Sequence, residues 1–237
     1  MKDEIKKLAQ QIKQHKELYY LGKPKISDAD FDKLEDHLKK IAPDHPILSM
    51  VGASTQHKQK IAHKTKMLSL MKTYELEDLE SWREERDVVS TYKIDGVSCS
   101  LIYEKGFLHL AKTRGDGSFG EDILEKILWI NSIPNHISSE LLNFEVRGEI
   151  FCTEAQFIHL AQKMQELNLE KPTSQRNIVA GLMGRKDSFS LCTFLNFKAV
   201  DLITDDIKIK TEREKYSYLK KMSFDIPELT WHKAKES

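Results

Sequence analysis

The chain has 237 residues, 40% hydrophobic and 31% charged, with a formal net charge of zero. That is enough for one large or two small domains with a real core, and no apolar run approaches the ~18 residues needed to span a bilayer. The balanced charge argues against a strong stand-alone nucleic-acid clamp, which would normally look basic. Three well-separated cysteines, Cys99, Cys152 and Cys192, form no Cys-x-x-Cys pair. Neither a zinc clamp nor a disulfide framework is expected, and a reducing, cytoplasmic setting is the simplest reading.

Residues 1–20 place Ile5, Leu8, Ile12 and Tyr19 at helical spacing, with Gly22 and Pro24 as the stop. The charged start is not a signal peptide. Ser27 caps a second helix whose third residue is Asp30 and whose apolar face is Phe31, Leu34, Leu38 and Ile41; Pro43 and Pro46 end it. The two form a helical hairpin. Residues 49–66 are polar and lack periodicity, so they read as a linker. Residues 1–72 carry 15 lysines against 9 acids, and residues 73–126 carry 7 basic residues against 13 acids. Solvated helix faces account for most of this; the alternative is a basic N-terminal region facing an anionic ligand.

Residues 75–85 predict a helix with Leu76, Leu79 and Trp82 on one side. Strands follow at 88–93, 98–103 and 107–113, then at 144–152, a helix at 154–167, a strand at 191–203 and a helix at 211–222. Antiparallel strands with interspersed helices indicate an α+β fold.

Lys93-Ile94-Asp95-Gly96 is the most informative tetrapeptide. A lysine at the end of a buried strand presents an amine as a nucleophile. Free lysine is mostly a cation at neutral pH, and burial or a neighbouring cation exposes its lone pair. Alone, the motif also fits an ordinary strand ending in a turn. Gly115-Asp116-Gly117-Ser118-Phe119-Gly120 matches Gly-x-Gly-x-x-Gly, but it follows a hairpin, and the acid about 20 residues on is Glu140, in a polar loop. A Rossmann loop is therefore not expected, and no kinase signature accompanies it. Arg114, just before this turn, is placed to hold an anion. Alternation aims Glu145, Arg147 and Glu149 at one face, either as a polar stripe or as a charged floor under a nucleotide. Arg176-Asn177 and Gly181 through Arg185 read as a loop entering a small-residue helix, with basic side chains for phosphates.

Taken in order, these stretches resemble the NAD-dependent DNA ligase family. The matches are Leu68-Ser69-Leu70, Lys93-Ile94-Asp95-Gly96, Thr113 to Gly117 with Gly120-Glu121-Asp122, Ile133-Pro134, Glu145 to Glu149, and Arg176-Asn177. The hairpin is similar to the family's N-terminal NAD-sensing module through Tyr19, Pro24, Ile26, Asp28, Ala29 and Asp32.

The resemblance implies two parts: residues 1–66, a helical nicotinamide-nucleotide module with its linker, and residues 67–237, a partial nucleotidyltransferase (ATP-grasp-like ligase) core cut short at its C-terminus. It implies that Lys93 attacks the α-phosphorus of NAD to form lysyl-AMP, that Asp95 orients the lysine or a divalent ion, and that AMP passes to a 5′-phosphate at a nick. Arg114 and Glu149 would contact the AMP half, with Ser69 and Leu70 beside it and Phe197 stacked on adenine; for a strand phenylalanine the alternative is core. Tyr19, Tyr20, Asp28, Phe31 and Asp32 would grip the nicotinamide half. Arg147, Arg176 and Arg185 would serve phosphate or DNA. Magnesium is implied by the chemistry alone, with no ligand set in the sequence.

Thr91 stands where the family usually has the glutamate that reads adenine, Tyr20 and Phe31 replace a histidine and a tyrosine, and Gly184 replaces a basic residue that Arg185 follows. The family's two further lysine motifs, OB fold, zinc module and helix-hairpin-helix units do not fall within these residues. The expected partners are nicked DNA or RNA and a second chain supplying the absent parts. The alternatives are a degenerate NAD- or partner-binding relative without chemistry, and an RNA-directed ligase.

Overall fold

A computed structural model describes residues 2–20, 25–43, 45–49, 60–187 and 189–234. The N-terminal part is helical: α1 (Lys2–Tyr20), α2 (Asp28–Ile41) and the short α3 (Pro46–Ser49). Ser27 caps α2 as its sequence predicts, accepting the Asp30 N–H at 3.1 Å while its hydroxyl donates to the Asp30 carboxylate. Leu8, Ile12, Leu38 and Ile47 form a small core of their own, with Phe31 and Leu34 packed beside it. Gly22 and Pro24, expected to stop the first helix, lie outside the described residues.

The second part is built on a four-stranded antiparallel sheet in the order β4-β3-β6-β7, from β3 (Val97–Glu104), β4 (Phe107–Thr113), β6 (Asn143–Phe151) and β7 (Asn196–Thr204). The strand period of two separates its faces. Cys99, Leu101 and Tyr103 stand opposite Gly148, Val146 and Phe144 and face the core. Tyr103 stacks on Phe144 at 4.8 Å, an arrangement worth roughly 0.5–1.5 kcal/mol beyond its burial. The other face pairs Ser98 with Glu149 and Ser100 with Arg147.

Helices α5 (Leu124–Ile127), α6 (Glu154–Glu166), α7 (Gln175–Gly184) and α8 (Glu212–Lys221) complete this part. A reciprocal capping box at Thr153 and Gln156 opens α6. Two small two-stranded pairs accompany the sheet. β1 (Lys60–Ala62) pairs with β5 (Phe119–Glu121), and β2 (Val88–Ser90) pairs with β8 (Thr230–His232).

Four expectations need correction. Residues 60–66 are not loose linker: β1 is hydrogen-bonded into the second part, a pairing whose partner lies some sixty residues away. Residues 189–194 form a 3₁₀ turn, and the last long strand begins only at Asn196; an apolar run does not by itself separate a buried turn from a buried strand. The lysine loop, residues 91–95, is irregular, because β2 ends at Ser90. Helix α4 (Leu76–Arg83) forms, but Leu76, Leu79 and Trp82 remain exposed. Periodicity marks a stripe and does not say what covers it. Among the described residues, no helix is long and apolar enough to cross a membrane.

Candidate active site at the open end of the polar face

Glu149 is the centre of the arrangement. One carboxylate oxygen accepts the Gly96 N–H at 3.1 Å and the other accepts the Ser98 hydroxyl. Burial raises the Glu149 pKa above the ordinary carboxylate value; the Ser98 hydrogen bond and then the charges of Arg176, Lys93 and Arg114 act against it. Cations from three separate stretches of chain thus act electrostatically on one partly buried acid. The Gly96 backbone presses against β6 so closely that a Cβ there would lie 2.0 Å from the Ile150 carbonyl oxygen. Glycine at this place thus sets the loop onto the strand that carries Glu149.

Lys93 is exposed, not desolvated at a buried strand end, because the loop that carries it projects beyond β2. Asp95 pairs with Arg176 Nη1 at 2.8 Å. Arg176 belongs to the first turn of α7, whose N-cap Ser174 accepts the Asn177 N–H. Arg114 follows β4, and its N–H donates to the Ser98 carbonyl at 2.9 Å. The glycine motif after it is a tight turn between β4 and β5, with Gly115 and Gly117 at positive φ. It leads into a strand, not into a helix cradling a dinucleotide.

The opposite end of the same face is closed. Arg147 Nε donates to Glu145 at 2.6 Å, and its other nitrogens donate to the carbonyls of Thr65 and Lys66. Glu145 also accepts the Ser100 hydroxyl, and Lys112 Nζ donates to the Ala62 carbonyl. His63 Nε2 bridges the carbonyls of Thr113 and Arg114 at 3.1 and 3.2 Å, while its Nδ1 is buried without a hydrogen-bond partner. Burial, then the Lys112 charge, lowers the His63 pKa. Residues 62–66 therefore lie as a strap over Glu145, Arg147 and Lys112. Arg147, expected to meet phosphate or DNA, is a buried clamp on this strap instead.

Phe197, expected to stack on adenine, is fully buried, lies against the Gly148 backbone and meets Phe224 edge-on, so it belongs to the core. In β7, Val200 is the extra residue of an irregularity opposite Arg147 and Gly148, and it is exposed. Arg185 caps α7 and forms a forked pair with Asp187, away from the cluster of cations at Glu149. Ser69 and Leu70 are exposed on the segment after the strap.

In the helical part, Phe31 packs partly against the hairpin core, and Asp32 accepts Lys72 Nζ at 2.9 Å. The side chains of Tyr19, Tyr20 and Asp28 lie outside the described residues. Sequence reasoning missed Ser98, His63 and Lys112. Ser98 alone had a signal, as the residue that pairing must set opposite Glu149.

Residues 55–236 match the family model of the NAD-dependent DNA ligase adenylation domain, and residues 1–57 match that of the DNA ligase-like N-terminal NAD+-binding domain. The chain belongs to the NAD-dependent DNA ligase adenylation-domain family. It is 31% identical over 246 residues to a DNA ligase of Clostridium kluyveri, covering 94% of this chain and 36% of that protein. It is 36% identical over 203 residues to one of Corynebacterium jeikeium, covering 76% and 29%. A DNA ligase of Leptospira biflexa is 34% identical over 244 residues, with 95% and 35% covered. The chain thus spans about a third of the length of the curated relatives it matches.

Proposed function

We propose that this chain binds NAD and transfers its AMP half to Lys93, as the adenylation step of a DNA ligase. The observation that carries the reading is the seating of the Lys93–Gly96 loop on Glu149, through the Gly96 N–H, and on Arg176, through Asp95, within a chain whose family uses NAD. Three cations around an open loop suit a diphosphate, and Glu149 with Ser98 suits the hydroxyl-bearing part of a nucleotide. The helical part holds the nicotinamide half, through Tyr19, Tyr20, Asp28, Phe31 and Asp32, and the second part, into which residues 60–66 are bonded, holds the AMP half. Ser69 and Leu70 lie beside the nucleotide.

Lys93 Nζ attacks the α-phosphorus. A P–N bond forms, the P–O bond to nicotinamide mononucleotide breaks, and the amine proton leaves to solvent. Arg114 and Arg176 stabilise the charge that grows on the phosphoryl oxygens. Asp95 holds Arg176 in place. The AMP then passes to the 5′-phosphate of nicked DNA, a step for which a second chain or segment supplies further contacts. Arg185 serves the nucleic acid.

Among the described residues, no group of three histidine, cysteine or carboxylate side chains is set to hold a metal. The acids present are already engaged by Arg176, Gly96 and Ser98, so they do not form a magnesium cage.

Intact-protein mass after incubation with NAD, with ATP in parallel and Lys93→Ala as control, tests the proposal. The expected result is one AMP adduct from NAD only, absent in Lys93→Ala. An adduct from ATP only overturns the cofactor. No adduct on a folded chain leaves the second reading, a binding relative without chemistry.

A further inference from the structure

The helical hairpin has a core of its own, separate from the core under the sheet. Its placement on the second part therefore depends on contacts between the two. One such contact falls on the carboxylate assigned above to the nicotinamide half. Asp32 Oδ1 accepts Lys72 Nζ at 2.9 Å, and Asp32 Oδ2 accepts the Tyr74 hydroxyl at 3.5 Å. Lys72 and Tyr74 sit on the irregular segment between Ser69-Leu70 and α4. Both oxygens of Asp32 are thus engaged by side chains from the adenylation part.

We propose that Lys72 and Tyr74 form a latch on Asp32 that tethers the helical part in the ligand-free chain and competes with the nicotinamide half of NAD for that carboxylate. The inference rests on the reading that Asp32 grips that half. The nicotinamide ring of NAD is cationic and its ribose carries hydroxyls. It therefore offers Asp32 the same two kinds of partner, a cation and a hydroxyl donor, that Lys72 and Tyr74 offer. One carboxylate does not hold both sets in full. The Asp32 hydrogen bond raises the Lys72 pKa, so the lysine keeps its charge across the neutral range, and Glu35 on α2 adds a weaker attraction. The pair is exposed, with 63% of the Lys72 side chain and 37% of the Asp32 side chain accessible. An exposed pair is weak and salt-sensitive, which suits a contact that substrate must open. Apparent affinity falls by the fraction of chains held in the latched state.

The test uses the full chain and Lys72→Met, with nicotinamide mononucleotide as the probe. Calorimetry at low salt should show roughly two- to five-fold tighter binding in the variant, the range of an exposed ion pair, and the difference should vanish in 1 M salt, where the Debye length is about 3 Å. Spin labels at Lys39→Cys and Gln165→Cys should show a broader distance distribution in Lys72→Met than in the parent. Weaker binding in the variant overturns the competition and makes Lys72 a ligand contact. An unchanged distance distribution overturns the tether, whatever the affinities. Absent binding in both chains, with a broadened distribution, removes the nicotinamide role of Asp32, and the competition falls with it.

Discussion

The two ends of one polar face were written by one alternating stretch, Glu145-Val146-Arg147-Gly148-Glu149, and they have opposite fates. At the Glu145 end, the strap of residues 62–66 closes the charges of Glu145, Arg147 and Lys112 into hydrogen bonds with the protein itself. At the Glu149 end, among the described residues, the acid lies under the loop bearing Lys93, and Asp95 of that loop pairs with Arg176 of α7. The strand pattern sets which side chains share a face. What lies over that face decides whether a charge is a structural clamp or is left for a ligand.

Lys93→Ala should abolish the AMP adduct and leave the urea midpoint unchanged, since an exposed loop side chain contributes little to folding. Arg147→Met should cost about 3–5 kcal/mol in urea melts, because it leaves Glu145 charged and buried with fewer partners. Phe197→Ala should cost a similar ~3–5 kcal/mol by opening a core cavity, while the folded fraction keeps the parent's affinity for AMP. A large loss of AMP affinity at unchanged stability would return Phe197 to the nucleotide site.

The two ends should also differ in the sign of their pH dependence. His63 has a lowered folded pKa, so the folded state binds its proton less readily than the unfolded chain does. Its contribution is present above the unfolded value near ~6.5 and is lost as pH falls below it. Glu149 has a raised folded pKa. Its contribution is present at low pH and is lost as pH rises past the ordinary carboxylate range. Urea melts across pH should lose a falling slope just above the ordinary carboxylate range in Glu149→Gln, and a rising slope just below ~6.5 in His63→Gln. The same slope in both variants would refute the contrast.

Much of this was legible in the sequence. The helical hairpin, the capped α2, the antiparallel core strands and α6 followed from periodicity and capping residues, which are local signals. The motif order carried the family. Three things were not legible. That Arg147 is covered depends on residues 62–66 meeting a strand some eighty positions later. Periodicity put Phe197 in a strand, and only the sheet register shows which face it takes. The latch on Asp32 joins two parts through one weak exposed contact that no pattern encodes.

The most direct test of the account sets Arg176→Ala against Arg147→Met and measures both the rate of AMP transfer from NAD to Lys93 and the urea midpoint. The account predicts that Arg176→Ala slows adduct formation by roughly 10²-fold, the scale of losing one charge-stabilising donor, at nearly unchanged stability. Arg147→Met should lower the midpoint sharply, while its folded fraction reacts at close to the parent rate. If both variants lose stability alike and react alike, or if Arg147→Met alone stops the reaction, the division of the sheet face into a structural end and a chemical end is wrong.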